Sequence, residues 1–297
     1  MSWSIKVPSS TANLGAGFDS IGLALNLYLE LNIEEADEWQ FIAASACLEG
    51  IPIGKENLVY QIVEQVAKLY GKENQIPACH VTMKSEIPLA RGLGSSATAV
   101  VAGIELANVL LDLHLTEADK VQIATDMEGH PDNVAPSLLG GCVIGHYDGT
   151  VTYSQVAIKG VTFVACIPNF ELKTKDARNA LPVQFSFKES VQASSVANVS
   201  IAALCQGDWQ TLGEMMDKDP FHQPYRKALI PHYDELHHYL KEQGAYGVFL
   251  SGAGPTMLAV VEEEKANSLV DKWKEGYPDY DWFALQVEHR GSVVEKI

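Results

Sequence analysis

The sequence predicts an α+β fold. Strand and helix signals are mixed along all 297 residues, but they do not alternate as regular βαβ units. Apolar residues make up 47% and charged residues 20% of the chain, which is ordinary for a globular protein with a sizeable core. The length fits two domains or one large one. We expect two, over residues 1–155 and 156–297, although no linker marks that boundary.

The first half of the chain contains a clear strand signal. In LALNLYLELNIE, residues 23–34, leucine or isoleucine occupies every second position, with mostly polar residues between. This alternation is typical of a strand that buries one face in an antiparallel sheet.

Helices and further strands follow in the first half. Residues 57–70 are expected to form a helix that Gly71 ends. Residues 96–113 are apolar nearly all round, which predicts a buried helix. A Thr and Asp pair resembling a capping box opens a helix over 116–128. Strands are predicted over 80–84 and near 142–145, 151–156 and 161–167.

The second half is expected to be mainly helical. Helices are predicted over 189–206, 209–216 and 232–243. The stretch YGVFLSGAGPTMLAVV, 246–261, is typical of a strand, a glycine turn and a second strand. A helix over 262–274 and a strand over 282–288 end the chain.

Charge and cysteine content exclude several classes of function. The formal net charge is −17, whereas nucleic acids and anionic membranes are bound through basic surfaces. An anionic ligand would therefore have to be held locally, by backbone N–H groups or a few cations. There is no apolar signal-peptide region and no apolar run of 18 residues. The five cysteines form no C-x-x-C pair, which argues against disulfides or zinc and predicts a cytoplasmic protein.

Three stretches combine glycine with small hydroxyl residues. They are PSSTANLGAGFDS (8–20), PLARGLGSSAT (88–98) and SGAGPT (251–256). The middle one lacks the Lys-Ser/Thr of a Walker A loop. It fits a relaxed Rossmann pattern, but the acidic residue 20 positions on, Asp112, lies in the same helical run with no strand between. Two explanations remain: an anion-binding loop at a helix N-terminus, or an ordinary helix start with a serine cap.

The middle stretch resembles a known family motif. Pro-x-x-x-Gly-Leu-Gly-Ser-Ser-Ala, at 88–97, is similar to the ATP-binding signature of the GHMP kinases. The other two stretches resemble the first and third motifs of that family in order and spacing. The resemblance implies an N-terminal domain like ribosomal protein S5, a C-terminal ferredoxin-like domain and an active site between them. It also implies that ATP and Mg²⁺ are used.

Other stretches resemble one branch of the family, which acts on an amino-acid alcohol. These are STANLGAGFD in the first motif, EGHPDNVAPSLLGG (128–141) and TKDARNALP (174–182). The implied reaction is ATP-dependent phosphorylation of the side-chain hydroxyl of L-homoserine to O-phospho-L-homoserine, a step in threonine biosynthesis. A kinase for another small alcohol is the nearest alternative. A catalytically silent metabolite-binding protein would be expected to lose the loop serines or the magnesium carboxylate, and both are present.

The resemblance also implies which residues bind ATP and metal. The nucleotide site would comprise Asn57 and the loop residues Pro88, Leu89, Ala90, Arg91, Gly92, Leu93, Gly94, Ser95, Ser96, Ala97 and Thr98. Ser96 and Glu128 would hold Mg²⁺ and, with Asp132 and Asn133, form the catalytic set. Glu128 could instead be a solvated carboxylate at a helix end. Asp132 could be a base or a turn cap, and the reaction could proceed without a dedicated base.

The acceptor site must bind an ammonium, a carboxylate and a hydroxyl. Arginine suits the carboxylate, and two of the four arginines, Arg178 and Arg226, remain after Arg91 in the loop and Arg290 near the C-terminus are set aside. The predicted substrate residues are Asn13, Asp19, His130, Asn133, Thr174, Arg178 and Arg226. Arg226 could instead form a surface salt bridge, and His130 could be structural. The only expected partner is the small substrate, and the sequence leaves a homodimer open.

Overall fold

Residues 2–297 are described by a computed structural model, which confirms the α+β class. The strands are β1 (Ser2–Asn13), β2 (Gly17–Glu35), β3 (Gln40–Ala43), β4 (Cys79–Ser85), β5 (Cys142–Tyr147), β6 (Val151–Val156), β7 (Val161–Pro168), β8 (Gly247–Leu250), β9 (Met257–Glu262), β10 (Tyr280–Leu285) and β11 (Val293–Lys296). The helices are α1 (Leu58–Leu69), α2 (Ser95–Leu110), α3 (Glu117–Glu128), α4 (Val134–Leu139), α5 (Thr174–Asn179), α6 (Phe187–Gln206), α7 (Trp209–Met216), α8 (Gln223–Arg226), α9 (Tyr233–Glu242) and α10 (Ala266–Gly276).

The larger sheet has seven strands. Its main path is β11-β1-β2-β4-β3, and β5 pairs with β2 and with β6. All of these pairs are antiparallel except β3 with β4. Helix α2 packs against β1 and α1, and it is buried along most of its length, as its apolar composition predicts.

The smaller sheet is antiparallel, in the order β10-β7-β9-β8. Helices α5 to α9 connect β7 to β8, and α10 connects β9 to β10. This order and these connections are those of a ferredoxin-like βαββαβ unit. Trp273 of α10 is completely buried against this sheet.

Most predicted elements are confirmed within a few residues. The alternating strand predicted over 23–34 is the centre of β2, and the capping box of α3 forms as predicted. The last helix begins later than expected, at Ala266, because a short 3₁₀ turn precedes it. Six elements were not predicted: β1, β3, α4, α5, α8 and β11.

The ends of the chain meet in the larger sheet. β11 pairs with β1, so the last strand lies beside the first. β6 ends at Val156 in the larger sheet, and β7 begins the smaller one at Val161. The domain boundary near residue 155 stays a prediction. Within residues 2–297, no helix has the length and apolar character needed to cross a membrane.

Candidate active site

The three glycine stretches meet around one cavity of about 300 Å³. This cavity lies where β1, the start of α2, the end of α3 and the turn after β8 come together. It is lined by Asn13, Asp19, Ala90, Gly92, Gly94, Ser95, Ser96, Ala97, Glu128, His130, Asp132, Asn133, Leu172, Lys173, Thr174, Arg178, Arg226, Gly252, Ala253 and Gly254. Most of the predicted site residues are therefore brought together.

Gly92 and Gly94 let the middle loop pack between the other two stretches. Both have positive φ, 78° and 73°, which favours glycine. A Cβ on Gly94 would lie 2.4 Å from Ser10 Oγ, and a Cβ on Gly92 would lie 2.3 Å from the Ser251 carbonyl oxygen. The Ser251 hydroxyl also donates a hydrogen bond to the Gly92 carbonyl oxygen at 2.6 Å. The loop is therefore held from both sides by backbone and short side chains.

The N-terminus of α2 points its free N–H groups at this cavity. The residue before the helix is Gly94, and no side chain caps the helix there. The serine-cap explanation for this loop is therefore wrong. The N–H groups of the first turn, at Ser95, Ser96 and Ala97, have no intrahelical partner, and these residues line the cavity. Free N–H groups and the positive end of the helix dipole together favour an anion such as phosphate.

A second pocket of about 260 Å³ adjoins the loop on its other side. It shares Ser95 and Ser96 with the first cavity and is otherwise mainly apolar. Its remaining lining residues are Leu29, Leu48, Ile51, Pro52, Asn57, Leu58, Val59, Met83, Ser85, Leu89, Thr98 and Ala99. The Asn57 side chain accepts a hydrogen bond from the Val59 amide at 3.0 Å, so it caps α1 while it lines the pocket.

Glu128 lies at the end of α3, where the left-handed Gly129 stops the helix. The Ser96 side chain lies near its carboxylate and favours the charged form. Burial raises the pKa of Glu128, and it outweighs the opposing effect of the positive charge of His130. The carboxylate is thus partly withdrawn from water and faces the helix N-terminus, which does not fit a solvated carboxylate at a helix end.

The turn from His130 to Asn133 is tightly held. His130 Nδ1 lies 2.5 Å from Asp132 Oδ1, and the Ser10 hydroxyl donates to Asn133 Oδ1 at 3.2 Å. A Cβ on Gly22 of β2 would lie 1.5 Å from the Asp132 carbonyl oxygen, so glycine is needed there for the turn to sit on the sheet. Burial lowers the pKa of His130, but the hydrogen bond and charge of Asp132 outweigh it, and the pKa is raised. The first role of the Asp132 carboxylate is therefore to orient the His130 ring.

Groups of both signs lie together at the other end of the cavity. Arg178 donates two hydrogen bonds to the Asp19 carboxylate, at 3.0 and 3.1 Å. The Asn13 side chain accepts from the Asp19 amide at 3.0 Å and donates to the Gly252 carbonyl oxygen at 3.0 Å. Asn13 thus ties the first glycine stretch to the third and orients the backbone at Asp19.

Arg226 is buried at this end, with only 2% of its surface exposed. Its Nε donates to the Ala177 carbonyl oxygen at 3.2 Å and its Nη1 to that of Gly252 at 2.8 Å. Burial first, and then the charge of Arg178, lower the pKa of Arg226 to about 10. Within residues 2–297 its guanidinium forms no ion pair with a carboxylate, so the surface salt-bridge explanation is wrong. A buried cation with unused donors favours an anionic ligand.

Some predicted site residues lie away from both pockets. Pro88, Arg91 and Leu93 line neither of them. Leu93 belongs to the hydrophobic core, and Arg91 Nη1 lies 3.7 Å from the Glu171 carboxylate. The roles given to these residues stay predictions.

Sequence reasoning also missed lining residues. Gly252, Ala253 and Gly254 belong to the third glycine stretch, so a signal for them existed. Leu172 and Lys173 precede α5 in a segment that carries no pattern that could have singled them out.

Carboxylates and a histidine form a further cluster in this cavity. Ligand atoms of Asp19, His130 and Asp132 all lie within 4.8 Å of one another. Asp19 already pairs with Arg178, and Asp132 with His130, so both carboxylates have cationic partners. The predicted metal pair, Ser96 and Glu128, lies beside the helix N-terminus instead and stays a prediction.

The fold and site define a small-molecule kinase, and comparison with known proteins agrees. Residues 57–141 match the GHMP kinases N terminal domain, and residues 200–279 match the GHMP kinases C terminal domain. A mevalonate kinase structure has a TM-score of 0.71 at 18% identity, covering 97% of this chain and 99% of that one, and supports the fold alone.

Relatives with higher sequence identity are homoserine kinases. The protein from Bacillus velezensis is 48% identical over 297 residues, covering 100% of this chain and 96% of that protein. The one from Halalkalibacterium halodurans is 50% identical over 295 residues, covering 99% and 95%. The crystal structure from Cytophaga hutchinsonii has a TM-score of 0.86 at 27% identity, covering 99% and 97%. The chain belongs to the GHMP kinase family, in its homoserine kinase branch.

The raised pKa of Glu128 gives a test of this site. Above that pKa the folded protein holds an unfavourable buried charge, whereas below the ordinary value of 4.5 the carboxyl is protonated in both folded and unfolded states. We expect Glu128→Gln to raise the melting temperature at pH 7–8, with the difference shrinking towards pH 4. The same variant should lose about 100-fold or more in turnover with Mg²⁺ and ATP.

The matched control is Glu214→Gln on α7, where the carboxylate is exposed. It should leave both melting temperature and turnover unchanged. A Glu128→Gln protein that melts earlier and turns over normally would contradict the account of this residue.

Proposed function

We propose that this chain transfers the γ-phosphoryl group of ATP to the side-chain hydroxyl of L-homoserine, giving O-phospho-L-homoserine for threonine biosynthesis. The observation that carries the proposal is that one cavity holds both an uncapped helix N-terminus and a cluster of charges of both signs. An amino-acid zwitterion with a hydroxyl fits such a cavity, whereas a neutral sugar would leave the charges without ligands.

ATP would occupy both pockets. Its triphosphate would lie against the N–H groups at the start of α2, and its base would enter the adjoining apolar pocket beyond Ser95 and Ser96. The two pockets share only those serines, so the phosphates would pass over the loop between them.

Mg²⁺ is expected with the nucleotide, and the residues present fit it. Ser96 and Glu128 offer a hydroxyl and a carboxylate that line the same cavity, and Mg²⁺ prefers one or two such oxygen ligands together with phosphate oxygens. When bound, the cation would neutralise charge on the transferring phosphoryl group. It would also favour the ionised form of Glu128, which burial disfavours.

The acceptor would be bound through its two charged groups, the carboxylate and the ammonium. Its carboxylate would accept hydrogen bonds from the unused donors of Arg226 and from Arg178. Its ammonium would take the place of Arg178 beside the Asp19 carboxylate. In the free protein Asp19 and Arg178 satisfy each other, so a zwitterion can exchange with them without leaving a charge unpaired.

The hydroxyl of the acceptor would then point towards the phosphate loop. His130, Asn133 and Thr174 line the cavity and can fix its direction. We propose that this positioning, with neutralisation of charge on the phosphates, supplies most of the rate enhancement. The role of Asp132 as a base and the cytoplasmic location of the protein stay predictions.

The choice of acceptor tests the proposal directly. In a coupled assay of ADP release, kcat/KM should be highest for L-homoserine, and the product should be its O-phosphate by ³¹P NMR. L-Serine, one methylene shorter, should be a poor acceptor because its hydroxyl stops short of the γ-phosphate. A preference for mevalonate, shikimate or galactose would refute the assignment of homoserine and leave the fold unaffected.

Arg178 should matter for the acceptor and not for ATP. Arg178→Leu should raise KM for homoserine about 30- to 150-fold, because it removes a charge-assisted bond to the carboxylate worth about 2–3 kcal/mol. KM for ATP should change little. Arg290→Leu is the control, because Arg290 is exposed and lines neither pocket. Equal effects on the two KM values would count against this role.

A further inference from the structure

Phe18 lies beside both arginines of the proposed acceptor site. The Cζ atom of Arg226 lies over its ring, 5.2 Å from the ring centre, and the Cζ atom of Arg178 lies over it at 5.8 Å. Both distances fall within the roughly 6 Å over which the negative face of an aromatic ring attracts a cation. Phe18 does not line the cavity, so its ring acts on a ligand there only through these two side chains.

The Phe18 ring is stacked on two further rings. The His222 ring centre is 5.4 Å away with an angle of 24° between the planes, and the Phe221 ring centre is 6.2 Å away with an angle of 26°. His222 is completely buried, and its Nε2 donates a hydrogen bond to the Gly15 carbonyl oxygen at 2.9 Å. Burial lowers the pKa of His222, so its ring is neutral at neutral pH and adds no third positive charge beside the arginines.

The segment that carries these two rings is fixed by Asp219. This buried carboxylate accepts hydrogen bonds from the backbone N–H groups of Phe221 at 2.8 Å, His222 at 3.2 Å and Gln223 at 2.7 Å. A carboxylate bound to successive N–H groups holds the backbone of a turn in one conformation. The Phe18 ring therefore packs against a rigid surface, which defines its position relative to the arginines.

The two arginines need a partner that does not neutralise them. Burial and then the positive charge of Arg178 lower the pKa of Arg226, so the two guanidinium groups repel each other. In the free protein Asp19 offsets the charge of Arg178, but an acceptor ammonium would take over that carboxylate. A second protein carboxylate would compete with the carboxylate of the ligand. A neutral aromatic ring attracts both cations and leaves their N–H groups free for the ligand.

We propose that Phe18 is a positioning residue for the carboxylate of the acceptor: its ring holds the Arg178 and Arg226 guanidinium groups together where both line the cavity. This role rests on the proposed function, because it requires an acceptor that carries a carboxylate. It gives Phe18 a share in the affinity for the acceptor and no part in ATP binding or in the transfer step.

Stepwise fluorination of the Phe18 ring tests this role. In the full chain, Phe18 is replaced by 4-fluoro-, 3,5-difluoro- and 3,4,5-trifluorophenylalanine, which weaken the negative face of the ring while its size changes little. KM for L-homoserine should rise with each added fluorine, by about 3- to 30-fold over the series, because the attraction to two cations is lost. KM for ATP and kcat should stay within about twofold of the wild-type values.

A second acceptor and a second ring separate positioning from a general loss of structure. 3-Amino-1-propanol lacks the carboxylate, so its kcat/KM should not respond to fluorination of Phe18. Phe185 is the matched control: its ring centre lies 5.4 Å from that of Phe221, and among residues 2–297 no cation lies over it. The same fluorinated residues at position 185 should leave all of these parameters unchanged.

Phe18→Leu removes the ring and should raise KM for homoserine at least as much; if that variant fails to fold, the fluorinated series, which keeps the ring, decides. In a chain that phosphorylates homoserine, a KM that stays constant across the series would overturn the role of Phe18 and leave the proposed function standing. An equal fall in kcat/KM for 3-amino-1-propanol would overturn it too. A wild-type chain that does not phosphorylate homoserine would overturn the proposed function, and this role with it.

Discussion

The active site depends on the close packing of the loop at Gly92 and Gly94. Each glycine faces a backbone or short side-chain group of another motif: Ser10 on one side and the turn at Ser251 and Gly254 on the other. Neither position has room for a Cβ, and both have the positive φ that glycine tolerates. This packing fixes the start of α2 against β1 and the turn after β8. The phosphate site and the acceptor site therefore share one rigid wall.

Electrostatics explains how so acidic a chain could bind acidic ligands. Although the net charge is −17, the cavity lining balances three carboxylates (Asp19, Glu128 and Asp132) with three cations (Lys173, Arg178 and Arg226), and backbone N–H groups at the loop add positive potential. At the acceptor end, Arg226 is buried with only carbonyl partners, and Arg178 is paired with Asp19. The cavity thus suits a zwitterion in two ways. Arg226 is a cation without an anionic partner, and the ion pair of Arg178 with Asp19 can be opened by a ligand that carries both charges.

The sequence predicted features that depend on local pattern. The alternation in β2, the capping box of α3 and the glycine loops could all be predicted, because each depends on residues that are close together in the sequence. Strands β1 and β11 were missed for the opposite reason. β1 buries Ser9, Ser10 and Thr11, so it lacks apolar alternation, and β11 exists because it pairs with β1 across almost the whole chain. The same limit applied to the site: the approach of Leu172 and Lys173, and the burial of Arg226, follow from packing between distant segments.

The central claim is that the cavity selects a molecule carrying both an ammonium and a carboxylate. Its most direct test compares kcat/KM for L-homoserine, for 4-hydroxybutyrate, which lacks the ammonium, and for 3-amino-1-propanol, which lacks the carboxylate. 4-Hydroxybutyrate offers no ammonium to take the place of Arg178 beside Asp19, and 3-amino-1-propanol offers no carboxylate to Arg226, so kcat/KM should fall by about 100-fold or more for each. Phosphorylation of either analogue as efficiently as homoserine would contradict the account.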